Sequence, residues 1–390
     1  MTGQTQGRVA RAAQRPVLIT GGAGFVGCNL AHRLLGEGRT VVLFDNLSRA
    51  GVERNLAWLR AQHGDRVTAR VADVRDRAAV EAAVRGVGEV YHFAAQVAVT
   101  TSLADPVEDF EINARGTLNL LEAIRAQAEP PSLVFTSTNK VYGELADLPT
   151  RERDTRHEPT DELARARGVS ERRSLDFHSP YGCSKGTADQ YVLDYARSFG
   201  IPAVVFRMSC IYGPHQFGTE DQGWVAHFLI RAIEGAPIAL YGDGKQVRDV
   251  LFVEDLIDAF LLARRHIHAI AGRAFNIGGG AANTTSLNEL LARISELTGE
   301  RPAVTYGAWR TGDQRWYVSD VRAFGEATGW VPRTTVADGL ARLHAWLRDA
   351  RAESRVAPRA SAVASAANTQ ALAAHPLVQP PTNGFREASA

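Results

Sequence analysis

The chain has 390 residues, of which 45% are apolar and 22% are charged, as is usual for a globular protein with a substantial core. Its 44 lysines and arginines nearly balance its 43 aspartates and glutamates, so bulk charge gives no argument for binding nucleic acid or an anionic membrane. The three cysteines are far apart and the histidines lack ligand spacing, which predicts no metal site and suits a reducing compartment.

The two ends of the chain differ in composition from the middle. Residues 1–15 are small and polar, and residues 349–390 are rich in alanine, serine and proline, so both segments are predicted to be disordered. No segment resembles a signal peptide or approaches the roughly 18 apolar residues of a membrane span. A cytoplasmic protein without a membrane partner is therefore expected.

Short apolar runs alternate with helix-like segments through the first half of the chain. The apolar runs are residues 17–20, 41–44, 67–71, 90–93, 133–135 and 203–206. The segments with helical spacing of apolar positions are 29–35, 77–85, 113–128 and 185–199. Nearly continuous apolar runs are typical of strands buried on both faces, so the alternation predicts a doubly wound parallel α/β sheet of the Rossmann type. Such sheets bind ligands at the carboxyl ends of their strands.

A glycine-rich turn, TGGAGFVG, follows the first predicted strand. Gly21, Gly24 and Gly27 have the spacing that lets a backbone turn tightly, approach a pyrophosphate and pack against a helix. Taken alone the pattern is weak, because glycine-rich turns before helices are common. Asp45 adds support, since it ends the second predicted strand, where a carboxylate can bind the ribose hydroxyls of a dinucleotide. Such a carboxylate repels a 2′-phosphate, so NAD is favoured over NADP.

Residues after the later strands extend the predicted dinucleotide site. Asp73 follows the third strand and could meet the adenine edge, or it could instead cap the helix that begins near residue 75. Ala94 and Ala95 follow the fourth strand and are small enough for a cofactor to lie against the backbone. The remaining predicted cofactor contacts are Phe25, Val26, Asn46, Val74, Gln96, Asn113 and Met208.

Tyr181 and Lys185 are four residues apart, which places them on one face of a helix. A lysine ammonium close to the phenol is expected to lower its pKa from about 10 toward neutral pH, and the positive nicotinamide ring of NAD would add to this effect. The tyrosine could then act as a general base. This spacing often arises by chance, but here it follows a dinucleotide loop, an acidic residue and a strand ending in hydroxyl groups. That order favours a catalytic pair.

This order of motifs resembles the extended short-chain dehydrogenase/reductase family, the NAD-dependent epimerases and dehydratases, over residues 16–345. The resemblance implies hydride transfer between NAD and a carbinol carbon, often that of a nucleotide-linked sugar. It implies an NAD-binding Rossmann domain at 16–210, a smaller C-terminal α/β substrate-binding lobe at 211–348, and a homodimer or homotetramer. The residues that it assigns to catalysis are Thr138, Tyr181 and Lys185.

Residues 138–140 separate two reactions within this family. Sugar 4,6-dehydratases typically carry Thr-Asp-Glu here, because elimination of water needs a further acid and base. This chain has Thr138, Asn139 and Lys140 instead, so an epimerase, which needs only oxidation and then reduction on the other face, is predicted. Longer segments resemble the CDP-paratose 2-epimerases, which implies epimerisation at C2 of a CDP-linked sugar. These segments are 137–143, 176–186, 206–214 and 216–225.

The same resemblance implies a substrate site built largely by the second half of the chain. Arg248 and Arg310 should bind the diphosphate, although a lone arginine is more often a solvated surface residue. Asp313 should bind the nucleotide ribose. The other predicted substrate residues are Thr138, Asn139, Cys210, Gln216 and Gln222.

Two positions depart from the family pattern and leave the sugar open. His215 and Thr311 stand where arginine and proline are usual. CDP-paratose, CDP-glucose and UDP-glucose are the candidate substrates, because a 2-epimerase pocket need not reject extra hydroxyl groups strongly. A 4-epimerase of the UDP-galactose kind is the enzymatic alternative. A non-catalytic protein that senses NAD(H) is another, although such proteins tend to lose the tyrosine or the lysine.

Overall fold

Strands and helices alternate along the chain of the computed structural model, which describes residues 15–310 and 312–356. The first half contains β1 Val17–Thr20, α1 Phe25–Gly36, β2 Val41–Asp45, α2 Val52–His63, β3 Val67–Val71, α3 Arg77–Val84, β4 Glu89–His92, α4 Val99–Ala104, α5 Pro106–Phe110, a π-helical turn Glu111–Arg115, α6 Gly116–Arg125, β5 Ser132–Thr138, a 3₁₀ turn Asn139–Tyr142, β6 Thr150–Glu152, β7 His157–Pro159, α7 Glu162–Arg167 and α8 Ser179–Phe199. The second half contains β8 Ala203–Met208, β9 Cys210–Tyr212, α9 Trp224–Ile233, β10 Ile238–Tyr241, β11 Val247–Phe252, α10 Val253–Ile270, β12 Ala274–Ile277, β13 Thr284–Ser286, α11 Leu287–Thr298, β14 Val304–Gly307, β15 Trp316–Tyr317, α12 Arg322–Thr328 and α13 Val336–Val356.

Seven strands form the central sheet in the order β12-β8-β5-β4-β1-β2-β3. Every neighbouring pair in it is parallel. The six strands predicted from apolar runs are all present, and the doubly wound Rossmann fold is confirmed. The seventh strand, β12, was not predicted, because four residues from the second half of the chain carry too short a pattern to stand out.

Helices cover both faces of this sheet, which explains why its strands are apolar throughout. In β1, Leu18 packs on one face with residues of α3 and α6. Val17 and Ile19 pack on the other face with residues of α1 and α10. Side chains alternate between the two faces along a strand, so a strand with two buried faces needs no polar positions.

Two helices differ from their predicted bounds. Helix α8 begins at Ser179 rather than 185, because Pro180 occupies its first turn, where no backbone donor is needed. The helix predicted at 113–128 contains the π-helical turn and ends at Arg125. A one-residue widening of a helix leaves little trace in its apolar spacing, so the sequence did not predict it.

Shorter strands make up the second part of the fold. Strand β11 pairs with β9 and β15 in parallel and with β13 in antiparallel fashion, while β10 pairs with β14. Because β12 lies in the second half of the chain, this half also contributes a strand to the central seven-stranded sheet. Among the described residues, those up to His344 group into one compact unit and 345–356 belong to another. The division into two lobes near residue 210 stays a prediction.

Helix α13 continues to Val356, so residues 349–356 of the predicted disordered tail are helical. Alanine, arginine and glutamate dominate this stretch, and all three favour helix. The other parts of the terminal predictions, 1–14 and 357–390, lie outside the described residues, as does Thr311. Within the described chain, no helix combines the length and the apolar character needed to cross a membrane.

Candidate active site

The glycine turn between β1 and α1 brings backbone against backbone. Gly21 has φ +69°, and a Cβ atom there would lie 2.8 Å from the backbone nitrogen of Ala94 at the end of β4. A Cβ atom at Gly27 would lie 2.2 Å from the carbonyl oxygen of Gly21. Helix α1 starts after Gly24 without a side-chain cap, which leaves its first backbone donors available to a ligand. Such a helix start fits a pyrophosphate.

A cleft above this turn collects most of the predicted cofactor residues. Those that line it are Gly21, Gly24, Phe25, Val26, Gly27, Asp45, Asn46, Asp73, Val74, Ala94, Ala95, Tyr181, Lys185 and Met208, together with Gln222 from the predicted substrate set. Two predicted cofactor residues, Gln96 and Asn113, do not line it. They hydrogen-bond to each other instead. The Gln96 backbone nitrogen donates to Asn113 Oδ1 at 2.9 Å, and Asn113 Nδ2 donates to the Gln96 backbone carbonyl at 3.0 Å.

The two acidic residues of the cleft are held by local hydrogen bonds. Asp45 accepts from the backbone nitrogens of Ala23, at 3.0 Å, and Leu47, at 2.9 Å. Asp73 accepts from the Arg75 side chain, which is the main reason that its pKa is lowered to about 2. Asp73 is not the helix cap considered above, because Asp76 caps α3. Both carboxylates therefore have fixed orientations at the strand ends.

Tyr181 and Lys185 both project from α8 toward the end of β5. The Lys185 ammonium donates to the Thr136 carbonyl at 2.6 Å, and burial lowers its pKa to about 8. Burial raises the pKa of the Tyr181 phenol to about 12, opposed by a hydrogen bond with Thr138 and by the charge of Arg49. The expectation that Lys185 lowers this pKa is wrong for the chain by itself, because burial dominates and the ammonium bonds to a backbone carbonyl.

The residues after β5 connect the sheet to the second half of the chain. Thr138 Oγ1 accepts from the Lys140 backbone nitrogen at 3.2 Å and so caps the 3₁₀ turn. Asn139 Nδ2 donates to Gln314 Oε1 at 3.2 Å. The Lys140 ammonium donates to the Gly312 carbonyl at 2.9 Å. All three side chains are thereby fixed at the carboxyl edge of the sheet.

Lys140, Arg248 and Asp313 form a partly buried ionic cluster. Arg248 Nη2 donates to Asp313 Oδ1 at 2.6 Å, and the Lys140 ammonium lies 3.8 Å from the same oxygen. Cys210 lies near Lys140, and its sulfur accepts from Trp224 Nε1 at 3.3 Å. Two cations and one carboxylate leave the cluster with a net positive charge, which suits a phosphate ligand.

Arg310 has different partners from the residues of this cluster. Its guanidinium is 3.2 Å from carboxylate oxygens of both Glu220 and Asp221 and 3.9 Å from the centre of the Tyr241 ring. The two arginines predicted for the diphosphate are thus held by different carboxylates.

Gln216, from the predicted substrate set, is buried and donates to the Ile211 carbonyl at 3.1 Å.

His215 packs against the nucleotide-binding half of the chain. Its ring centre is 3.8 Å from that of Trp58 on α2, and its carbonyl accepts from Asn55 Nδ2 at 3.2 Å. Burial lowers the pKa of its imidazole to about 4. His215, which departs from the family pattern, therefore packs against α2.

Among the described residues, no group of three or more potential ligands could hold a metal ion.

Sequence reasoning missed several residues of this region, among them Arg49, Ser137, Lys140 and Asp109. Arg49 and Ser137 line the cleft, and Lys140 completes the ionic cluster. Lys140 could have been noticed from composition. The chain has only three lysines, at 140, 185 and 245, among 44 basic residues, so each lysine is unusual. Asp109 is buried on α5.

Residues 17–278 match the model of the NAD dependent epimerase/dehydratase family. The chain belongs to this family. It is 43% identical over 343 residues to a CDP-paratose 2-epimerase of Salmonella typhi, an alignment that covers 85% of this chain and 98% of that relative. The resemblance to extended short-chain dehydrogenases is thereby confirmed.

Solved structures of the epimerase/dehydratase family have the same fold. A UDP-glucose 4-epimerase of Thermus thermophilus in complex with NAD has a TM-score of 0.73 and 33% identity, covering 86% of this chain and 99% of that one. A dTDP-glucose 4,6-dehydratase of Streptomyces venezuelae, with NAD bound, has a TM-score of 0.73 and 28% identity, covering 86% and 98%. This chain is accordingly an NAD-dependent enzyme of the nucleotide-sugar epimerase/dehydratase family, and the glycine turn and Asp45 fit that cofactor.

Replacing Gly27 with alanine should remove NAD from the protein. The new Cβ atom would meet the Gly21 carbonyl at 2.2 Å and the Gly22 Cα atom at 2.7 Å, both of them backbone atoms that cannot move aside. We expect a loss of about 1–3 kcal/mol in stability and a large fall in the NAD content of the purified protein. Gly36→Ala, at the end of the same helix, is the control, since nothing lies within 4 Å of its Cβ position. Normal NAD content in Gly27→Ala would contradict this assignment of the phosphate site.

Proposed function

We propose that this enzyme epimerises a nucleotide-diphosphate sugar at C2, with CDP-paratose as the first candidate. The observation that carries the proposal is the 43% identity to a CDP-paratose 2-epimerase across nearly all of that relative. Identity to a putative UDP-glucose 4-epimerase of Methanocaldococcus jannaschii, over a similar share of both chains, is 31%. The difference favours the 2-epimerase over the 4-epimerase alternative.

Tyr181 would move the proton in this reaction. As phenolate it takes the proton of the sugar C2 hydroxyl, and as phenol it returns a proton to the same oxygen once C2 has been reduced on its other face. Thr138, which hydrogen-bonds with Tyr181, would hold the same hydroxyl. Lys185, which keeps its charge nearby, would favour the phenolate once the cofactor is bound. When bound, NAD supplies the acceptor, and later the donor, of the hydride.

The contacts of residues 139 and 140 support epimerisation over elimination. Asn139 donates to Gln314, and Lys140 donates to the Gly312 carbonyl, so neither position offers a carboxylate. Asp313 is the carboxylate next to Lys140, and it accepts a charge-assisted bond from Arg248 at 2.6 Å. Loss of water from the sugar would need an acid and a base that these positions lack.

The ionic cluster would bind the diphosphate of the substrate. Arg248 and Lys140 offer donors to phosphate oxygens, and the net positive charge of the cluster favours an anion. Asp313 would accept from a nucleotide ribose, and Arg310 would reach the diphosphate only by leaving Glu220 and Asp221. Asn139, Cys210, Gln216 and Gln222 remain candidates for contacts to the sugar. This part of the proposal rests on the resemblance and on the positions of these residues after β5 and β8.

The proposal is tested by incubating the purified enzyme with CDP-paratose, CDP-glucose, UDP-glucose and UDP-galactose, without added NAD. NMR of the products should show inversion at C2 of a CDP-linked sugar. Turnover without added cofactor would show that NAD is retained through the cycle. A parallel reaction in D₂O should leave C2 free of deuterium. Deuterium at C2 would contradict hydride return, and inversion at C4 alone would favour the 4-epimerase alternative.

We propose further that the protein forms a homodimer or homotetramer through α5, α6 and α8. Apolar side chains are exposed on two of these helices: Val107 is 72% exposed, Phe110 47% and Phe199 49%. Large exposed apolar groups on neighbouring helices are typical of an association surface.

Phe110→Asp should therefore weaken association. The aspartate would place a charge in a buried interface, and light scattering after gel filtration should show a shift toward monomer. Leu163→Asp, which changes an exposed leucine on α7, is the control and should leave the mass unchanged. A wild-type protein that is monomeric at high concentration would contradict the proposed assembly.

A further inference from the structure

Asp109 is a fully buried carboxylate that the mechanism above does not use. It lies on α5, with no exposed surface. Oδ2 accepts from Ser184 Oγ at 2.5 Å, and Oδ1 accepts from Gln96 Nε2 at 2.9 Å and Asn113 Nδ2 at 3.1 Å. All three donors are neutral. A buried carboxylate is usually paired with a cation, but no ion pair of Asp109 occurs within the described ranges.

This carboxylate acts on both residues of the catalytic pair. Ser184, its closest partner, stands between Tyr181 and Lys185 in α8. The charge of Asp109 raises the pKa of Tyr181 and, after that of Asp189, opposes the fall that burial causes in the pKa of Lys185. Asn113, another partner, belongs to the π-helical turn, and such turns often occur at functional sites.

Asp189 also opposes the fall in the pKa of Lys185, but its charge is shared with an arginine. Asp189, on the same helix, is bound in a two-point ion pair by Arg207, with both bonds 2.9 Å long. His92, at the end of β4, is fully buried, and burial together with the charge of Lys185 lowers its pKa to about 3, so it is neutral. Near Tyr181, Arg49 is a positive group. Asp109 is thus the carboxylate near Lys185 whose charge is not already neutralised by an arginine.

We propose that Asp109 is a positioning residue whose ionised carboxylate keeps the buried Lys185 ammonium charged beside Tyr181. Burial raises the pKa of Asp109, while the hydrogen bonds from Ser184 and Gln96 and the charge of Lys185 oppose that rise. Its three neutral partners hold the carboxylate in place without cancelling its charge. The inference rests on the catalytic roles proposed for Tyr181 and Lys185, but its test needs no substrate.

The small number of lysines makes a direct measurement feasible. Protein labelled with ¹³C at lysine Cε and carrying its bound NAD should give three side-chain signals, from residues 140, 185 and 245. In Asp109→Asn, the titration midpoint of Lys185 should fall by roughly one pH unit, because loss of a nearby negative charge disfavours the ammonium. Lys245, which pairs with Glu152 on the surface, should titrate as in the wild type.

Two variants separate charge from structure. Glu108→Gln removes the same charge one residue away on an exposed side chain, and the Lys185 midpoint should not move. Ser184→Ala removes the closest hydrogen bond to Asp109 but keeps its charge, so the midpoint should move far less than in Asp109→Asn. If Asp109→Asn does not fold, Asp109→Ser, uncharged and smaller, gives the same comparison. An unchanged Lys185 midpoint in a folded, uncharged variant overturns the inference, as does an equal shift in Glu108→Gln.

Activity provides a second measurement that is independent of the first. Because the loss of Asp109 should lower the pKa of both Tyr181 and Lys185, the whole pH profile of kcat should move to lower pH by about one unit. A purely structural role would lower kcat without moving the profile. If none of the nucleotide sugars reacts, the proposed function fails but the Lys185 titration still decides this inference. If epimerisation occurs and the midpoint does not move, only the role of Asp109 is wrong.

Discussion

Tyr181→Phe should lower kcat by about 10²–10⁴-fold while the protein keeps its fold and its NAD. The phenol is the proposed acid and base, and the range is that of a single positioned proton-transfer group. The substitution removes only the hydroxyl group, which contacts Thr138, and it keeps the ring that packs in the buried site. The measurement is NMR-monitored conversion of the accepted nucleotide sugar, together with the NAD content of the purified variant.

Tyr191→Phe is the matched control for this substitution. Tyr191 lies on the same helix but is 45% exposed and does not line the cleft, so removal of its hydroxyl group should change kcat by less than about twofold. Conversion by Tyr181→Phe at close to the wild-type rate would remove Tyr181 from the mechanism. A loss of activity that accompanies loss of NAD would point to a binding defect instead.

Asp189→Asn should destabilise the protein by about 3–5 kcal/mol. Asp189 on α8 and Arg207 on β8 form two bonds of 2.9 Å, and both side chains are buried. Arg207 also donates to the Tyr142 hydroxyl at 3.2 Å. Without the carboxylate the guanidinium would be left charged in the interior, where it cannot be solvated. The midpoint of urea unfolding should fall accordingly.

Asp194→Asn provides the comparison on the same helix. Asp194 pairs with Arg197, but both side chains are about half exposed or more, and solvent-exposed pairs of this kind contribute about 0–1 kcal/mol. Equal effects of Asp189→Asn and Asp194→Asn would mean that the buried ion pair does not stabilise the packing of α8 on the sheet. Because Asp189 also supports the charge of Lys185, the first variant should lose activity as well.

Much of the nucleotide-binding half could be predicted from local sequence. The apolar runs became β1 to β5 and β8, because a strand buried on both faces must be apolar along its whole length. Gly21, Gly24 and Gly27 predicted the turn, since only glycine allows backbone atoms to approach this closely. Tyr181 and Lys185 could be paired because four residues make about one helical turn. Each of these rules acts over a few neighbouring residues.

The remainder depended on contacts between distant parts of the chain. Asp109 meets Ser184 across 75 positions, and Lys140 meets Gly312 across 172, and no local pattern records such pairings. The predicted pKa of Tyr181 failed for the same reason, since burial, which exceeds any effect of Lys185, arises from packing of the whole domain. By itself the sequence determined the fold class, the cofactor turn and the family. Only the tertiary structure decided which charges meet, because proximity in a folded chain is set by packing and not by sequence separation.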